Sequence, residues 1–193
     1  MKEDQEPLRL AITWIQRLQQ NDEDALASLM DLYYEDLYNY AARFTKDDGL
    51  IKDCIQEVFI SLWQRRETVG TILSPKYYFL RAIKNKILKS LHKNIRNATS
   101  ANLPAEYDFY YEFSIERVII EKQVSEEKGE KLRKTLSLLS KRQKEIIYLK
   151  YYQSLDHGQI AELMSLSSQS VYNLLHEAIY KLRSLWHTEF VTH

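Results

Sequence analysis

Residues Leu155 to Leu182 read LDHGQIAELMSLSSQSVYNLLHEAIYKL and contain two short helical patterns with a tight turn between them. In the first pattern Ile160, Ala161 and Met164 fall on one helix face. In the second, apolar residues recur at spacings of three and four; they are Val171, Leu174, Leu175 and Ile179, with Leu166 in the connection. Ala161 is small enough for two helices to cross closely there. The stretch therefore predicts a helix-turn-helix.

The start of each of these helices has a capping signal. Asp156 and Gln159 form a capping-box pattern, and either Ser167 or Ser168 can cap the second helix. The exposed face of the second helix is then polar and consists of Ser168, Gln169, Ser170, Tyr172, Asn173 and His176. Asn and Gln amides pair well with adenine in a major groove, so this face is predicted to contact base edges. The alternative is an ordinary helical hairpin with a polar, solvated face.

Composition narrows the fold class and excludes several functions. The chain has 193 residues, is 45% hydrophobic, and contains only 4 Gly and 3 Pro, which favours an all-α fold. With one cysteine, Cys54, and five scattered histidines, neither a disulfide nor a zinc site is expected. The sequence has no phosphate-binding glycine loop, nucleophile elbow or paired-histidine motif, which argues against an enzyme with a small-molecule substrate or cofactor. The polar N-terminus and the lack of long apolar runs predict a cytoplasmic protein.

The net charge is zero, but the charges are segregated along the chain. Between Thr68 and Ala105 there is no Asp or Glu, and the basic residues there are Lys76, Arg81, Lys84, Lys86, Lys89, Lys93 and Arg96. Carboxylates crowd the region before this segment, among them Asp22, Glu23, Asp24, Asp31, Glu35, Asp36, Asp47, Asp48, Asp53 and Glu57. This separation predicts two partners for one domain, phosphates at the basic surface and a basic protein at the acidic one.

Apolar stripes divide the first half of the chain into four helices. They are predicted from Pro7 to Gln19, from a cap at Asn21 or Asp22 onward, from about Leu50 to Arg65, and from Ser74-Pro75 onward. The stripes comprise Leu8, Ala11, Ile12, Ile15 and Leu18; Leu26, Leu29, Met30, Tyr33, Leu37, Tyr40 and Phe44; Ile51, Ile55, Val58 and Leu62; and Phe79, Ala82, Ile83, Ile87 and Leu91.

Two tyrosines, Tyr77 and Tyr78, stand at the start of the basic fourth helix. Aromatic rings beside cations hold unstacked bases, because a ring stacks on any base while the cations bind the phosphates. The competing interpretation is that one or both rings pack in the core, since half-buried tyrosines are common.

The second half is predicted to be a linker followed by a small helical bundle. Residues 94–124 comprise the linker and a connecting helix capped by Ser114, with Ile115, Val118, Ile119 and Val124 along it. Some of the linker aromatics are expected to dock on a domain or a partner: Tyr107, Phe109, Tyr110, Tyr111 and Phe113. Then come a polar stretch, SEEKGEK, a short helix to about Leu139, and a helix from Lys141 to Tyr152. That last helix starts at a Ser140/Gln143 capping box and buries Ile146, Ile147, Leu149 and Tyr151.

These motifs, in this order, resemble the bacterial RNA polymerase sigma factors, in particular the two-domain extracytoplasmic-function (ECF) group. KDCIQEVFISLW (Lys52 to Trp63) is similar to the family's acidic polymerase-binding helix, and SPKYYFLRAIKNKILKSLHK (Ser74 to Lys93) to its promoter-melting helix. LSLLSKRQKEIIYLKYYQSL and the helix-turn-helix after it are similar to the upstream-element domain. The resemblance implies a sigma region 2-like domain over residues 7–93 and a region 4-like domain over residues 125–187.

The resemblance also implies roles for particular residues. Asp53, Gln56 and Glu57 would bind core RNA polymerase. Downstream, single-stranded promoter DNA would be held by the loop Arg66 to Ser74 and by six side chains of the fourth helix, with Asn85 contacting a flipped base. These six side chains are Tyr77, Tyr78, Arg81, Lys84, Asn85 and Lys89. Upstream duplex DNA would be contacted by Ser168, Gln169, Ser170, Tyr172, Asn173 and His176, with Arg142, Lys144, Lys181 and Arg183 on phosphates. The resemblance further implies that a membrane-anchored anti-sigma factor regulates the protein and that the linker runs inside polymerase.

Two features depart from the family pattern. Ser165 occupies a turn position where glycine is common, and a left-handed conformation there costs a serine about 1 kcal/mol more, so we expect a reshaped turn. The upstream-reading face has few cations, so the domain is expected to bind DNA weakly without polymerase. The alternatives are a free-standing helix-turn-helix regulator and a sigma-like module that sequesters a regulator without binding DNA.

Overall fold

The computed structural model describes residues 5–98, 109 and 126–188, and these are helical almost throughout. The chain divides into two compact units, residues 1–107 and 108–193. The all-α prediction, with two helical groups and a helix-turn-helix in the second, is confirmed. Each unit is described below by itself.

Over residues 5–98 the first unit contains four helices: α1 (Gln5–Leu18), α2 (Glu23–Ala41), α3 (Asp48–Gln64) and α4 (Pro75–Ala98). Helix α2 begins where Asp22 Oδ1 accepts a hydrogen bond from the Ala25 amide, so Asp22 and not Asn21 is the cap. Helix α3 begins two residues earlier than predicted, because Asp47 accepts from the Leu50 amide at 3.0 Å.

The core of the first unit lies where α2, α3 and α4 face one another. Phe79 is fully buried, with its ring centroid 4.9 Å from that of Tyr33 and 5.1 Å from that of Phe59. The predicted stripes are buried or half-buried except for Leu8, which is exposed. The Leu8 prediction is wrong because the buried stripe of α1 begins one turn later, at Ala11.

The second unit contains α5 (Glu126–Ser137), α6 (Lys141–Ile147), a π-helical turn (Tyr148–Tyr152), α7 (His157–Met164) and α8 (Ser168–Thr188). The capping boxes predicted at the starts of α6 and α7 are both present. The polar sequence SEEKGEK, in contrast, is helical from Glu126 and continues through Gly129, which is buried. Polarity alone did not indicate this, because two turns of an exposed helix are polar as well.

The π-helical turn changes which tyrosines point inward. Tyr148 is fully buried, whereas Tyr151 is 62% exposed, so the prediction that Tyr151 packs inside is wrong. In a π turn the amide bonds to the carbonyl five residues back, as Gln153 does to Tyr148 at 3.0 Å, and this rotates the side chains away from α-helical positions. Gln153 Nε2 also donates to the Tyr148 hydroxyl at 2.7 Å.

One linker aromatic lies within the described residues. Phe109 is buried, with its ring centroid 6.2 Å from that of Tyr148. The prediction that some linker aromatics dock on a domain is confirmed for this residue. The predictions for Tyr107, Tyr110, Tyr111, Phe113 and the connecting helix after Ser114 lie outside the described residues.

Candidate nucleic-acid interface

A cleft of about 300 Å³ lies between α3 and α4 of the first unit. This volume is near the lower end of the range of small-molecule sites. Its lining combines one aromatic ring, one amide and three cations with small and apolar groups; the residues are Val58, Ser61, Arg65, Tyr78, Ala82, Asn85, Lys86 and Lys89. Three of the six predicted single-strand contacts therefore meet in one place: Tyr78, Asn85 and Lys89.

Tyr78 is the aromatic wall of this cleft. Its ring is half-buried and packs edge-to-face with the ring of Phe79, with the two ring centroids 5.4 Å apart. Burial raises the pKa of the Tyr78 hydroxyl above its usual value, while nearby Arg65 lowers it by less. The ring is thus both supported by the core and accessible from the cleft, which suits a stacking surface.

The other predicted residues of α4 lie outside the cleft. Arg81 is exposed and its Nη1 donates to the Tyr77 hydroxyl at 3.3 Å. Lys84 is only 5% exposed, and its Nζ lies 5.8 Å from the centroid of the Phe44 ring. Lys84 therefore packs against Phe44 in the turn that follows α2, and we remove it from the predicted DNA contacts.

The three residues predicted to bind polymerase share one exposed side of α3. Asp53, Gln56 and Glu57 are all exposed and follow a helical i, i+3, i+4 spacing. Ile60, 46% exposed, continues the same line of residues. We call these four residues the α3 stripe. An acidic stripe that ends in an accessible apolar side chain suits contact with a basic protein surface.

In the second unit the turn of the helix-turn-helix has a regular C-cap. Ser165 is left-handed, with φ 53° and ψ 49°. The Leu166 amide donates to the Ala161 carbonyl at 2.8 Å and the Ser165 amide to the Glu162 carbonyl at 3.3 Å, which is the Schellman pattern. The expectation that serine reshapes this turn is therefore wrong, since Ser165 adopts the conformation that glycine prefers.

The polar face of α8 is exposed as predicted and is organised by contacts within the helix. Ser167 caps the helix, its Oγ accepting from the Ser170 amide at 3.1 Å. Gln169 Nε2 donates to Asn173 Oδ1 at 2.9 Å. The rings of Tyr172 and His176 stack with centroids 6.4 Å apart. The polar face thus presents one linked amide pair beside one aromatic pair.

The cations predicted to bind upstream phosphates have different environments. Arg142 is exposed near the start of α6 and Arg183 is exposed on α8. Burial lowers the pKa of Lys144. Lys181 Nζ donates to the Leu138 carbonyl at 2.7 Å, which ties α8 to the end of α5. We therefore leave Lys181 out of the proposed DNA-contacting face.

The structure adds residues that were not among the predicted single-strand or polymerase contacts. Arg65, Ser61 and Lys86 line the cleft, and Ile60 extends the α3 stripe. A signal for Ile60 was present, since it lies off the buried stripe of Ile55, Val58 and Leu62. The sequence gives a weaker indication of which residues line the cleft, because the rotation of α3 against α4 decides which side chains of the two helices face each other.

Taken together, the helices, the basic cleft and the helix-turn-helix define a two-unit helical protein of the nucleic-acid-binding class. No helix in the described part of the chain is both long enough and apolar enough to cross a membrane. Within the same ranges, no three His, Cys, Asp or Glu side chains are grouped so as to hold a metal ion.

Comparison with known proteins specifies the family. The family model for sigma-70 region 2 matches residues 29–97 of this chain, and the family model for sigma-70 region 4 matches residues 129–182. The ECF RNA polymerase sigma factor SigL of Mycobacterium tuberculosis is 25% identical over 170 residues, covering 82% of this chain and 89% of SigL. The chain therefore belongs to the ECF group of the sigma-70 family. Proteins of this family are not enzymes, which confirms that prediction.

Two solved structures share the fold. One is "CnrH in complex with the cytosolic domain of CnrY", with a TM-score of 0.57, 16% identity, and coverage of 93% of this chain and 98% of that one. The other is the sigma factor RpoE in complex with the anti-sigma factor NepR from Bartonella quintana, with a TM-score of 0.51 and 16% identity. The match covers 82% of this chain and 94% of that one.

Proposed function

We propose that this ECF sigma factor binds core RNA polymerase through the α3 stripe, holds melted promoter DNA in the cleft between α3 and α4, and recognises an upstream duplex element with the exposed face of α8. The first unit thus acts as the region 2-like domain over residues 7–93, and the second as the region 4-like domain over residues 125–187. The protein works in the cytoplasm, where transcription takes place.

The observation that carries this proposal is the composition of the cleft. Tyr78 offers a stacking face, and Asn85 offers an amide donor and acceptor for a base edge. Arg65, Lys86 and Lys89 supply the positive charge that phosphates require. A base that is unstacked from the melted strand could lie on Tyr78 while its phosphates contact these cations.

The α8 face suits a complementary role. Its exposed amides and hydroxyls can contact base edges in the major groove. Because the face itself has no lysine or arginine, its binding to DNA on its own should be weak. Tethering to polymerase through the first unit raises its effective concentration at the promoter.

The test is reconstitution with bacterial core RNA polymerase on a library of promoters. Transcripts should start from a defined subset of sequences only when the chain is present, and Asn85→Ala should reduce initiation at those promoters. If core polymerase and the chain together never start transcription, the proposal fails. If the chain shifts duplex DNA equally well without polymerase, it acts as a free-standing regulator instead.

An anti-sigma factor is the proposed regulatory partner. One structure that shares the fold holds CnrH bound to the cytosolic domain of CnrY, and another holds the sigma factor RpoE bound to the anti-sigma factor NepR. We expect such a partner to cover the α3 stripe and so to compete with core polymerase. The measurement is displacement of labelled chain from core polymerase by a purified candidate partner. Simultaneous binding of both would contradict the competition.

A further inference from the structure

An ion pair joins the α3 stripe to the cleft. Lys86 Nζ lies 2.8 Å from Glu57 Oε2, and the two residues are on different helices. Glu57 belongs to the α3 stripe, and Lys86 lines the cleft. Their side chains are 59% and 34% exposed, so both remain accessible to a partner. One contact thus connects the two surfaces to which the proposed function assigns different partners.

The surrounding charges make this pair more than an isolated contact. The hydrogen bond from Lys86 holds the pKa of the Glu57 carboxyl below its usual value, and Lys89 and Lys93 lower it further. The carboxylate therefore lies in the field of a row of cations on α4. While Lys86 is paired with Glu57, its ammonium group faces a carboxylate and is less available to a phosphate.

We propose that the Glu57–Lys86 ion pair couples the binding of polymerase to the binding of single-stranded DNA. A basic protein surface that pairs with Glu57 releases Lys86, which then contacts a phosphate of a strand in the cleft. The reverse also holds, because a strand that engages Lys86 leaves Glu57 available to the protein partner. This inference rests on the proposed function and makes the phosphate contact of Lys86 depend on its release from Glu57.

The size of the coupling follows from the exposure of the pair. Ion pairs at the surface are weak, so breaking this one costs little and the effect on DNA affinity is a factor of about two to five. A further phosphate contact has a second signature. On single-stranded DNA each contact steepens the dependence of log affinity on log salt by about 0.7.

The experiment measures binding of the full chain to a fluorescein-labelled, mixed-sequence single-stranded oligonucleotide by anisotropy over a range of NaCl concentrations. Glu57→Gln should bind about two to five times more tightly at low salt, with a slope steeper by about 0.7. The matched control is Glu35→Gln, the same change at an exposed residue of α2. It should raise affinity less and leave the slope as in the unsubstituted chain.

Lys86→Ala, made alone and together with Glu57→Gln, completes a double-mutant cycle. In the unsubstituted chain it should weaken strand binding only slightly, because Lys86 is already paired. In the Glu57→Gln background it should abolish both the gain in affinity and the steeper slope. Equal effects of Glu57→Gln and Glu35→Gln, or equal effects of Lys86→Ala in both backgrounds, would overturn the coupling.

Asn85→Ala separates this inference from the proposed function. Asn85 is an exposed cleft residue, so its truncation should weaken strand binding in every background without affecting the fold. If Asn85→Ala has no effect, the cleft is not the strand site and the proposed function fails with the inference. If it weakens binding while the Glu57 and Lys86 variants show no coupling, only the inference fails.

Discussion

Replacing Asn173 by alanine should relax base preference at one or two upstream positions without weakening binding to all promoters. Asn173 lies on the exposed face of α8, and its Oδ1 already accepts from Gln169 Nε2 at 2.9 Å. The Asn173 amide group therefore keeps its two donors, and Gln169 Oε1 remains an acceptor. A donor beside an acceptor complements the edge that adenine presents in the major groove.

The magnitude follows from this pairing. Truncation removes the Asn173 donors, and loss of one good amide-to-base contact reduces discrimination by about 1–3 kcal/mol, or about 5- to 150-fold. It also releases Gln169 from its partner. Gln169→Ala should therefore cost less in the Asn173→Ala background than alone, with a coupling free energy of at least about 0.5 kcal/mol.

The assay is initiation by core polymerase with each variant on promoters that carry every base pair at each upstream position. The quantity to compare is the ratio of initiation between base pairs, not total activity. Tyr180→Ala is the control, an exposed side chain two turns farther along α8 that should leave the ratios unchanged. A uniform loss at all sequences would show that Asn173 contacts only the phosphate backbone. Additive effects of the two substitutions would show that the amides act independently.

Three further predictions concern other parts of the chain. Asp53→Lys should weaken core polymerase binding on the order of tenfold by placing like charges together, with unchanged thermal unfolding; unchanged affinity would refute its place in the interface. Ser165→Gly should raise the free energy of unfolding by about 0.5–1 kcal/mol in a thermal melt, since it relieves a left-handed serine; a lower melting temperature would contradict this. Phe109→Ala should lower the free energy of unfolding of the second unit by about 3 kcal/mol in urea, whereas the exposed Tyr180→Ala should change it little.

Local signals predicted the helices and their starts well. Asp22, Ser140, Asp156 and Ser167 cap helices, and each cap is a hydrogen bond between residues three positions apart. Such contacts depend on the neighbouring sequence alone and are available before the chain folds. For the same reason the polar face of α8 could be predicted, because apolar spacing fixes which side of a helix is buried.

The predictions failed where the backbone departed from α-helical geometry or where packing against residues distant in sequence set the local conformation. The π turn at Tyr148 rotated Tyr151 outward, and the spacing of apolar residues in the sequence does not predict a single π turn. Ser165 took a left-handed conformation because the packing of α7 on α8 and two backbone hydrogen bonds hold it there.

The sequence by itself determined the fold class, the family resemblance and most of the helix caps to within one residue, because spacing, capping and charge segregation are properties of the linear chain. Only the tertiary structure decided what each cation of α4 does. Lys84 and Lys86 are two residues apart and chemically identical, yet one is buried against Phe44 and the other bridges to Glu57 beside the cleft. Two positions on a helix point in nearly opposite directions, and what each side chain meets depends on helices far away in sequence.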